Sequence, residues 1–181
     1  GDRDLYIANG DGSLRARITV DPNSDRAPDW SPDGEKLAFM SNRDGGWDIY
    51  TVDRDGSNLT RLTDDHALNG SPRWSQNGED IAYWSYSKGD MGIFRMSADG
   101  TAVASLTSDS EWAMNPSWSP DGSLIAFESA AGGNVDIYTI DINSGVETRL
   151  TETPSFDGSP SWSPDGRHIV FHSDRHQRGM D

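Results

Sequence analysis

Short apolar stretches separated by turn residues recur along the whole chain. Each stretch is rich in Ile, Tyr, Phe, Trp and Thr, which suit a pleated and packed surface. Four such stretches occur in every 44 residues, and each repeat contains a tryptophan directly before a turn: Trp30, Trp74, Trp118 and Trp162. The pattern predicts four antiparallel strands per repeat and four repeats in the chain.

The turn after each tryptophan reads Ser-Pro-Asp-Gly in three copies and Ser-Gln-Asn-Gly in the second. Proline suits a position with φ near −65°, and glycine suits a position where φ is positive, so we predict a type I turn with a bulge. The repeating glycines are Gly34, Gly78, Gly122 and Gly166. Three further blocks, resembling Ile-Ala-Phe, Asp-Ile-Tyr and Arg-Leu-Thr, keep the same period.

A sheet of four short strands cannot bury both of its apolar faces, so neighbouring sheets must cover them. On the second strand a small residue lies between larger ones, which lets an adjacent sheet approach. These small residues are Ala38, Ala82, Ala126 and Val170. Radial stacking of such sheets gives a β-propeller, and we predict this all-β fold for residues 1–181 as one domain.

The blades are predicted at about residues 28–63, 72–107 and 116–151, with a composite blade from 160–173 and 4–19. Two strands from each end of the chain would complete that last sheet and remove its free edges. We therefore expect a four-bladed monomer. Two alternatives stay open: two chains exchange half-sheets in an eight-bladed ring, or the chain is a piece of a longer protein.

The chain is strongly acidic, with 15 basic and 30 acidic side chains and a net charge of −15. This balance argues against a nucleic-acid or anionic-membrane partner, because both require clustered Lys and Arg. There is no cysteine, which excludes disulfides and thiolate ligands. No apolar run approaches the roughly 20 residues of a membrane helix, and a first residue other than Met leads us to expect a processed chain.

The run Pro-x-Trp-Ser-Pro-Asp-Gly, Ile-Ala-Phe, Ser-x-Arg, Asp-Ile-Tyr and Arg-Leu-Thr resembles the WD-like repeat of the TolB family. The resemblance covers nearly the whole chain in four copies. It implies a β-propeller without enzymatic activity, a periplasmic or otherwise extracytoplasmic location, and a protein partner. Similar blades occur in peptidase propeller domains and polysaccharide lyases, so a carbohydrate-active lyase or hydrolase is the alternative.

The longer connections lie on the face opposite the tight turns, and binding residues tend to lie on such loops. Acidic residues would surround the channel mouth there: Asp21, Asp25, Asp64, Asp65, Asp109, Glu111, Glu152 and Asp157. One loop position holds Leu68, Trp112 and Phe156, which would form either an exposed protein anchor or a satellite of the core. We predict a protein or peptide site at this mouth, with solvated loop charge as the alternative.

The residue before each repeating tryptophan varies: Asp29, Arg73, Ser117 and Ser161. If these side chains face the channel, Asp29 and Arg73 are candidates to bind an ion or to pair with each other. The tryptophans themselves are predicted to pack between sheets rather than to bind a ligand.

Two motifs suggest a metal, and each has a simpler interpretation. His168 and His172 lie on the same side of a strand, and His66 and His176 lie elsewhere, but the equivalent positions of other repeats share no polar role. Residues 53–58, Asp-x-Asp-Gly-x-Asn, resemble part of a calcium loop, although a hairpin turn already explains the Asp-Gly. We predict no cofactor, with calcium or another cation at the channel as the alternative.

Overall fold

The computed structural model of the chain describes residues 3–87, 89–107 and 112–175. In these residues all regular secondary structure is β-strand, and no helix is long and apolar enough to cross a membrane. The strands are Tyr6–Ala8 (β1), Leu14–Arg17 (β2), Asp25–Trp30 (β3), Lys36–Ser41 (β4), Asp48–Asp53 (β5), Thr60–Arg61 (β6), Leu68–Trp74 (β7), Asp80–Ser87 (β8), Asp90–Ser97 (β9), Ala104–Ser105 (β10), Ala113–Trp118 (β11), Leu124–Ser129 (β12), Asp136–Asp141 (β13), Glu147–Arg149 (β14), Asp157–Trp162 (β15) and Ile169–Ser173 (β16).

Consecutive strands pair antiparallel to form three four-stranded sheets, here called the first (β3–β6), second (β7–β10) and third (β11–β14) sheet. Two further pairs remain two-stranded: the N-terminal hairpin (β1–β2) and the C-terminal hairpin (β15–β16). The prediction of an all-β fold made of four-stranded antiparallel sheets is confirmed.

The tight turns have the predicted geometry. The glycines at positions 34, 78, 122 and 166 have φ between 68° and 73°, a region that favours glycine. In the first copy the Ser31 hydroxyl donates to the Asp33 carboxylate at 2.6 Å. In the second copy the Ser75 hydroxyl donates to the Asn77 side chain at 2.7 Å, so the turn persists without its proline.

The Arg-Leu-Thr block fixes the outer strand of a sheet to its neighbour. In the first sheet the Thr63 hydroxyl accepts the Ile49 N–H at 3.0 Å and donates to the buried Asp48 carboxylate at 2.9 Å. Arg61 donates to the other Asp48 oxygen at 2.7 Å. The same arrangement recurs in the third sheet at Asp136, Ile137, Arg149 and Thr151. Hydrogen bonds and charge pairing thus compensate a carboxylate that is buried in both sheets.

The sheets stack through apolar clusters that join one sheet to the next. Ala38 of the first sheet and Trp74 of the second are buried in the same cluster, together with Ile49 and Tyr83. The next interface has the same composition, with Ala82 and Trp118 in one cluster. The small residue on the second strand therefore leaves space for the tryptophan side of the following sheet, as predicted.

The predicted composite blade is not formed as one sheet. The N-terminal hairpin packs on the first sheet through Leu5 and Ile18, and β15 contacts the third sheet. The two hairpins therefore lie at opposite ends of the stack. Within the described residues no strand pairing joins β16 to β1, so closure of a four-bladed ring within one chain is not confirmed.

The second sheet has a glycine position without space for a side chain, which gives a stability prediction. A Cβ on Gly70 would lie 2.4 Å from Cζ2 of Trp84. We expect Gly70→Ala to lower the free energy of unfolding by about 1–3 kcal/mol, as overpacking typically does. Equilibrium denaturation in urea measures the change.

Gly10→Ala is the matched control, because no atom lies within 4 Å of the Cβ that it adds. A surface change of this type should alter stability by no more than about 0.5 kcal/mol. Equal stability of the two variants would contradict the packing described here.

Candidate functional site

The first strands of the sheets and of the C-terminal hairpin converge on one cavity of about 440 Å³. Strands β3, β7, β11 and β15 each contribute two adjacent residues to its wall. These are Asp29 and Trp30, Arg73 and Trp74, Ser117 and Trp118, and Ser161 and Trp162. The four strands therefore face one shared cavity, and the variable residue before each tryptophan lines it.

Asp29 and Arg73 both line this cavity, at the end nearest the tight turns, because Ser31 and Gln76 also line it. Burial raises the pKa of Asp29, while the Trp74 N–H, which donates to its carboxylate at 2.8 Å, and the charge of Arg73 lower it. The net pKa is raised. Arg73 itself donates through Nη1 to the Pro72 carbonyl at 3.0 Å, so it influences Asp29 as a neighbouring charge.

The residue before the tryptophan also connects adjacent sheets. The Asp29 carboxylate accepts the N–H of Trp74 in the second sheet. Between the third sheet and the C-terminal hairpin, the Ser117 hydroxyl accepts the N–H of Trp162 at 3.4 Å. These two positions therefore combine a bond across the interface with exposure to the cavity.

Two of the four repeating tryptophans are buried between sheets, whereas Trp30 is 44% exposed. Trp74 and Trp118 are buried, and the indole Nε1 of Trp118 donates to the Arg73 carbonyl of the preceding sheet at 3.0 Å. At Trp74 and Trp118 this packing leaves little aromatic surface as a ligand platform.

Three apolar residues are exposed at equivalent positions on the loop side of the cavity. Leu68 begins β7, whereas Trp112 and Phe156 directly precede β11 and β15, and all three are exposed. The Phe156 ring stacks on His172 at a centroid distance of 5.3 Å, so part of its surface is covered by its own hairpin. Leu68 and Trp112 lie at the loop ends of β7 and β11, two of the four first strands, here called the inner strands, that line the cavity.

The predicted acidic mouth is only partly present in the described residues. Asp157 is fully buried, and Arg175 donates to both of its oxygens at 2.9 and 2.8 Å. Burial acts to raise the pKa of Asp157, but hydrogen bonds from Ser173 and Arg175 outweigh it and the pKa is lowered. Asp157 is therefore a structural carboxylate and not the solvent-facing loop charge expected from the sequence.

Asp25 at the equivalent position of β3 is likewise buried and bound by Arg43 at 2.9 and 3.0 Å. Asp65 accepts the Ala67 N–H at 3.1 Å and the Asn69 side chain at 3.0 Å, so it mainly orders its own loop. Asp109 and Glu111 lie outside the described residues.

A hydrogen-bonded series of polar side chains crosses the inner strands. This series was not identified from the sequence. The indole of Trp84 donates to Ser71 at 3.2 Å, and the Ser71 hydroxyl donates to the Asn115 carbonyl oxygen at 3.3 Å. Asn115 donates in turn to Glu128 at 3.0 Å, and the other Glu128 oxygen accepts the Ser159 N–H at 2.6 Å. This hydrogen-bonded series joins the second sheet, the third sheet and the C-terminal hairpin.

A bulge in each inner strand positions these groups. The register shifts once in each of β3, β7, β11 and β15, and the bulged residue has φ between 49° and 52°. The bulged residues, each followed by proline, are Ala27, Ser71, Asn115 and Ser159. A residue before proline at this period, polar in three of the four copies, was the signal that could have located the site, since bulges redirect side chains.

The loop that resembles a calcium site is occupied by other contacts, and His176 of the histidine group lies outside the described residues. Within the described residues no three His, Asp or Glu side chains are placed to share a metal ion. In the loop that resembles a calcium site, Asp53 is bound by Lys36 and Asn58, at 2.5 and 2.7 Å. Asp55 accepts the Ser57 hydroxyl at 2.6 Å, which is the hydrogen bonding of a hairpin turn.

Comparisons with known proteins show similarity to one family along nearly the whole chain. A family model described as TolB beta propeller domain matches residues 1–112 and 53–179. The curated Protein TolB homolog of Chlorobium luteolum is 44% identical over 45 residues, which are 25% of this chain and 10% of that protein.

Solved structures with the same fold are larger than this chain. TolB from Acinetobacter baumannii is 29% identical with a TM-score of 0.82, over 93% of this chain and 42% of that one. An oligogalacturonate lyase in complex with manganese is 22% identical with a TM-score of 0.74, over 96% of this chain and 51% of that one. The likeness to the lyase shows the fold alone. The chain spans less than half of the Acinetobacter protein.

The raised pKa of Asp29 gives a pH-dependent prediction for Asp29→Asn. Asparagine retains an acceptor for the Trp74 N–H but cannot ionise. Because the folded pKa lies above the ordinary 3.8, ionisation of Asp29 lowers the free energy of unfolding as the pH rises through that folded value. We expect the variant to be more stable than the parent at pH 7, with the gain disappearing below pH 3.8, as measured by urea denaturation.

Asp165→Asn is a control of opposite sign. Hydrogen bonds from the Ser163 hydroxyl and the Arg167 N–H lower the pKa of Asp165. Its ionised form therefore stabilises the fold above the ordinary value, and this contribution is lost as the pH falls through the folded pKa. The control should be less stable than the parent at pH 7. A loss of stability at pH 7 in both variants would contradict the assignment of Asp29 as a buried, unfavourable charge.

Proposed function

Since the chain belongs to the family of TolB beta propeller domains, we propose that it is a non-enzymatic interaction module. It binds a protein or peptide segment at the loop-lined mouth of its channel. The proposal rests on the two exposed apolar residues Leu68 and Trp112, which occupy equivalent positions where inner strands begin. Exposed apolar groups that recur on one face of a rigid scaffold are typical of partner-binding surfaces.

Charge favours a basic segment as the partner. The chain carries a net charge of −15, and the Asp64 side chain, which pairs with Arg61 at 3.0 Å, is 71% exposed. Acidic groups around a concave site focus the field and increase the rate of encounter with a cation. We expect association with a Lys- or Arg-rich segment to slow as salt is added.

The state of two predicted mouth carboxylates supports binding rather than hydrolysis. A glycosidase needs two carboxyl groups that are free to act on substrate from opposite sides. Asp157 is buried against Arg175, and Asp65 is bound by its own loop. The TolB resemblance also supports a periplasmic or other extracytoplasmic location, and it supports a protein rather than a carbohydrate as partner.

Selection of random peptides against the immobilised chain tests the proposal, followed by affinity measurements on the isolated peptides. We expect Trp112→Ala to weaken binding at least about tenfold, since buried aromatic anchors commonly contribute more than 1.4 kcal/mol. Leu68→Ala should weaken the same peptides.

Val146→Ala is the control, because Val146 and Trp112 are each 60% exposed but Val146 lies in a tight turn on the opposite face. Its affinities should equal those of the parent. Peptides that bind all three variants as tightly as the parent would place recognition elsewhere and overturn the proposal. Failure to select any peptide would likewise count against it.

A further inference from the structure

A groove of about 590 Å³ lies between the first and second sheets, on the face of the tight turns. The first sheet contributes Pro32, Lys36 and Leu62 to its walls, and the second sheet contributes Trp74 and Ala98. Both sheets have all four of their strands, so complete elements enclose the groove on both sides. It lies at the opposite end of these sheets from the proposed peptide site.

Two close approaches between the sheets fix the width of this groove. A Cβ on Gly78 would lie 3.7 Å from Cδ of Pro32, and a Cβ on Gly100 would lie 3.1 Å from the carbonyl oxygen of Leu62. Two turns of the second sheet therefore contact the first sheet at separate points. The groove between them is preformed, as small-molecule sites usually are.

Ala98 leaves a space in the groove that the next interface fills. By the 44-residue repeat Ala98 is equivalent to Ile142. The N–H of Ala98 donates to the Glu79 carbonyl at 2.8 Å, and the N–H of Ile142 donates to the equivalent Ser123 carbonyl at 3.1 Å. Each side chain packs against the apolar cluster of its own interface, but alanine has fewer carbons than isoleucine. The first interface therefore has room for an additional apolar group.

Two exposed carboxylates lie on the rim of the groove, Asp33 from the first sheet and Asp99 from the second. Asp33 accepts the Ser31 hydroxyl at 2.6 Å, and Asp99 accepts the Thr101 hydroxyl at 2.6 Å, in each case through Oδ1. These hydrogen bonds lower the pKa of both carboxyls, so both are ionised at pH 7. Within the described residues neither Oδ2 atom accepts a hydrogen bond, so both can receive a cation.

The lysine that lines the groove is already paired. Lys36 donates through Nζ to Asp53 at 2.5 Å, so its charge is compensated by a carboxylate of its own sheet. The groove therefore combines apolar walls with a negatively charged rim. A ligand that complements both parts is a cation with an apolar body.

We propose that this groove binds a small organic amine in its ammonium form. The apolar part of the amine fills the space beside Ala98 and contacts Leu62 and Trp74, and the ammonium group pairs with the Asp33 and Asp99 carboxylates. The site does not rest on the proposed peptide site, because the two lie at opposite ends of the sheets. Phenethylammonium has the required parts, an aromatic ring and a positive charge joined by a short alkyl chain, and it is the probe.

Isothermal titration calorimetry of the chain with phenethylammonium at pH 7 and low salt tests the proposal. We expect saturable binding at one site. 2-Phenylethanol, which has a similar shape but no charge, should bind at least about fivefold more weakly, since it lacks both exposed charge pairs. Added salt should weaken binding of the amine and leave that of the alcohol unchanged. No saturable binding of the amine, or equal binding of the two compounds, would overturn the proposal.

Ala98→Ile tests the apolar part of the site. The substitution copies Ile142 at the equivalent position of the third sheet, so the variant should fold, which circular dichroism checks. Binding of the amine should weaken at least about tenfold, because a single methylene in an apolar pocket can change affinity by this factor. Trp112→Ala should bind the amine as the parent does, which separates this site from the peptide site. Unchanged binding in Ala98→Ile would contradict the assignment of the groove.

Asp33→Asn and Asp99→Asn test the rim, and they decide the question if Ala98→Ile does not fold. Asparagine already occupies the position of Asp33 in the second sheet, where Asn77 accepts the Ser75 hydroxyl at 2.7 Å, so the turn should persist. Each variant should weaken binding of the amine about two- to fivefold and leave that of 2-phenylethanol unchanged.

Asp121→Asn is the control of equal charge, because it changes the same turn in the third sheet, where the Ser119 hydroxyl donates to Asp121 at 2.6 Å. It should bind the amine as tightly as the parent. Equal weakening in this control and in the two rim variants would show a general attraction of cations to an acidic chain and would overturn the proposed site.

Discussion

Burial of a tryptophan against a small residue of the preceding sheet is the contact on which the stack depends. A four-stranded sheet of short strands has two apolar faces and no interior of its own, so its stability comes from its neighbours. Ala38 with Trp74 and Ala82 with Trp118 show the same solution twice. Loss of a buried tryptophan costs about 3–5 kcal/mol in protein cores, and here one such residue serves two sheets at once.

The stacking also creates the channel and decides which residues face it. Four first strands face one shared cavity, and the position before each tryptophan lines it. The scaffold residues recur almost unchanged, whereas the cavity position is Asp29, Arg73, Ser117 and Ser161. A repeated fold thus presents a non-repeated surface, as binding proteins built from repeats commonly do. The bulged residues Ser71 and Asn115, two residues before this position, add polar side chains between the sheets.

Buried charge follows a consistent rule in this molecule. Asp25 and Asp157 begin inner strands and are each bound by an arginine that follows the second strand. Asp48 and Asp136 begin third strands and are bound by the arginine of the Arg-Leu-Thr block. These four buried carboxylates therefore stabilise the sheets. The exposed carboxylates produce the external electrostatic field of the molecule. Asp29 differs, because no arginine of the described residues donates to it and its burial raises the pKa.

The sequence by itself determined the strands, the turns and the sheet-to-sheet packing, because each is encoded within one 44-residue repeat. Ala38, Gly34 and Trp74 could be assigned their roles from period and residue type alone. Only the tertiary structure showed that Asp157 is buried, that Glu128 joins two strands of different sheets, and that the hairpins remain apart. Those features depend on contacts between repeats and on the curvature of the stack, which local pattern does not encode.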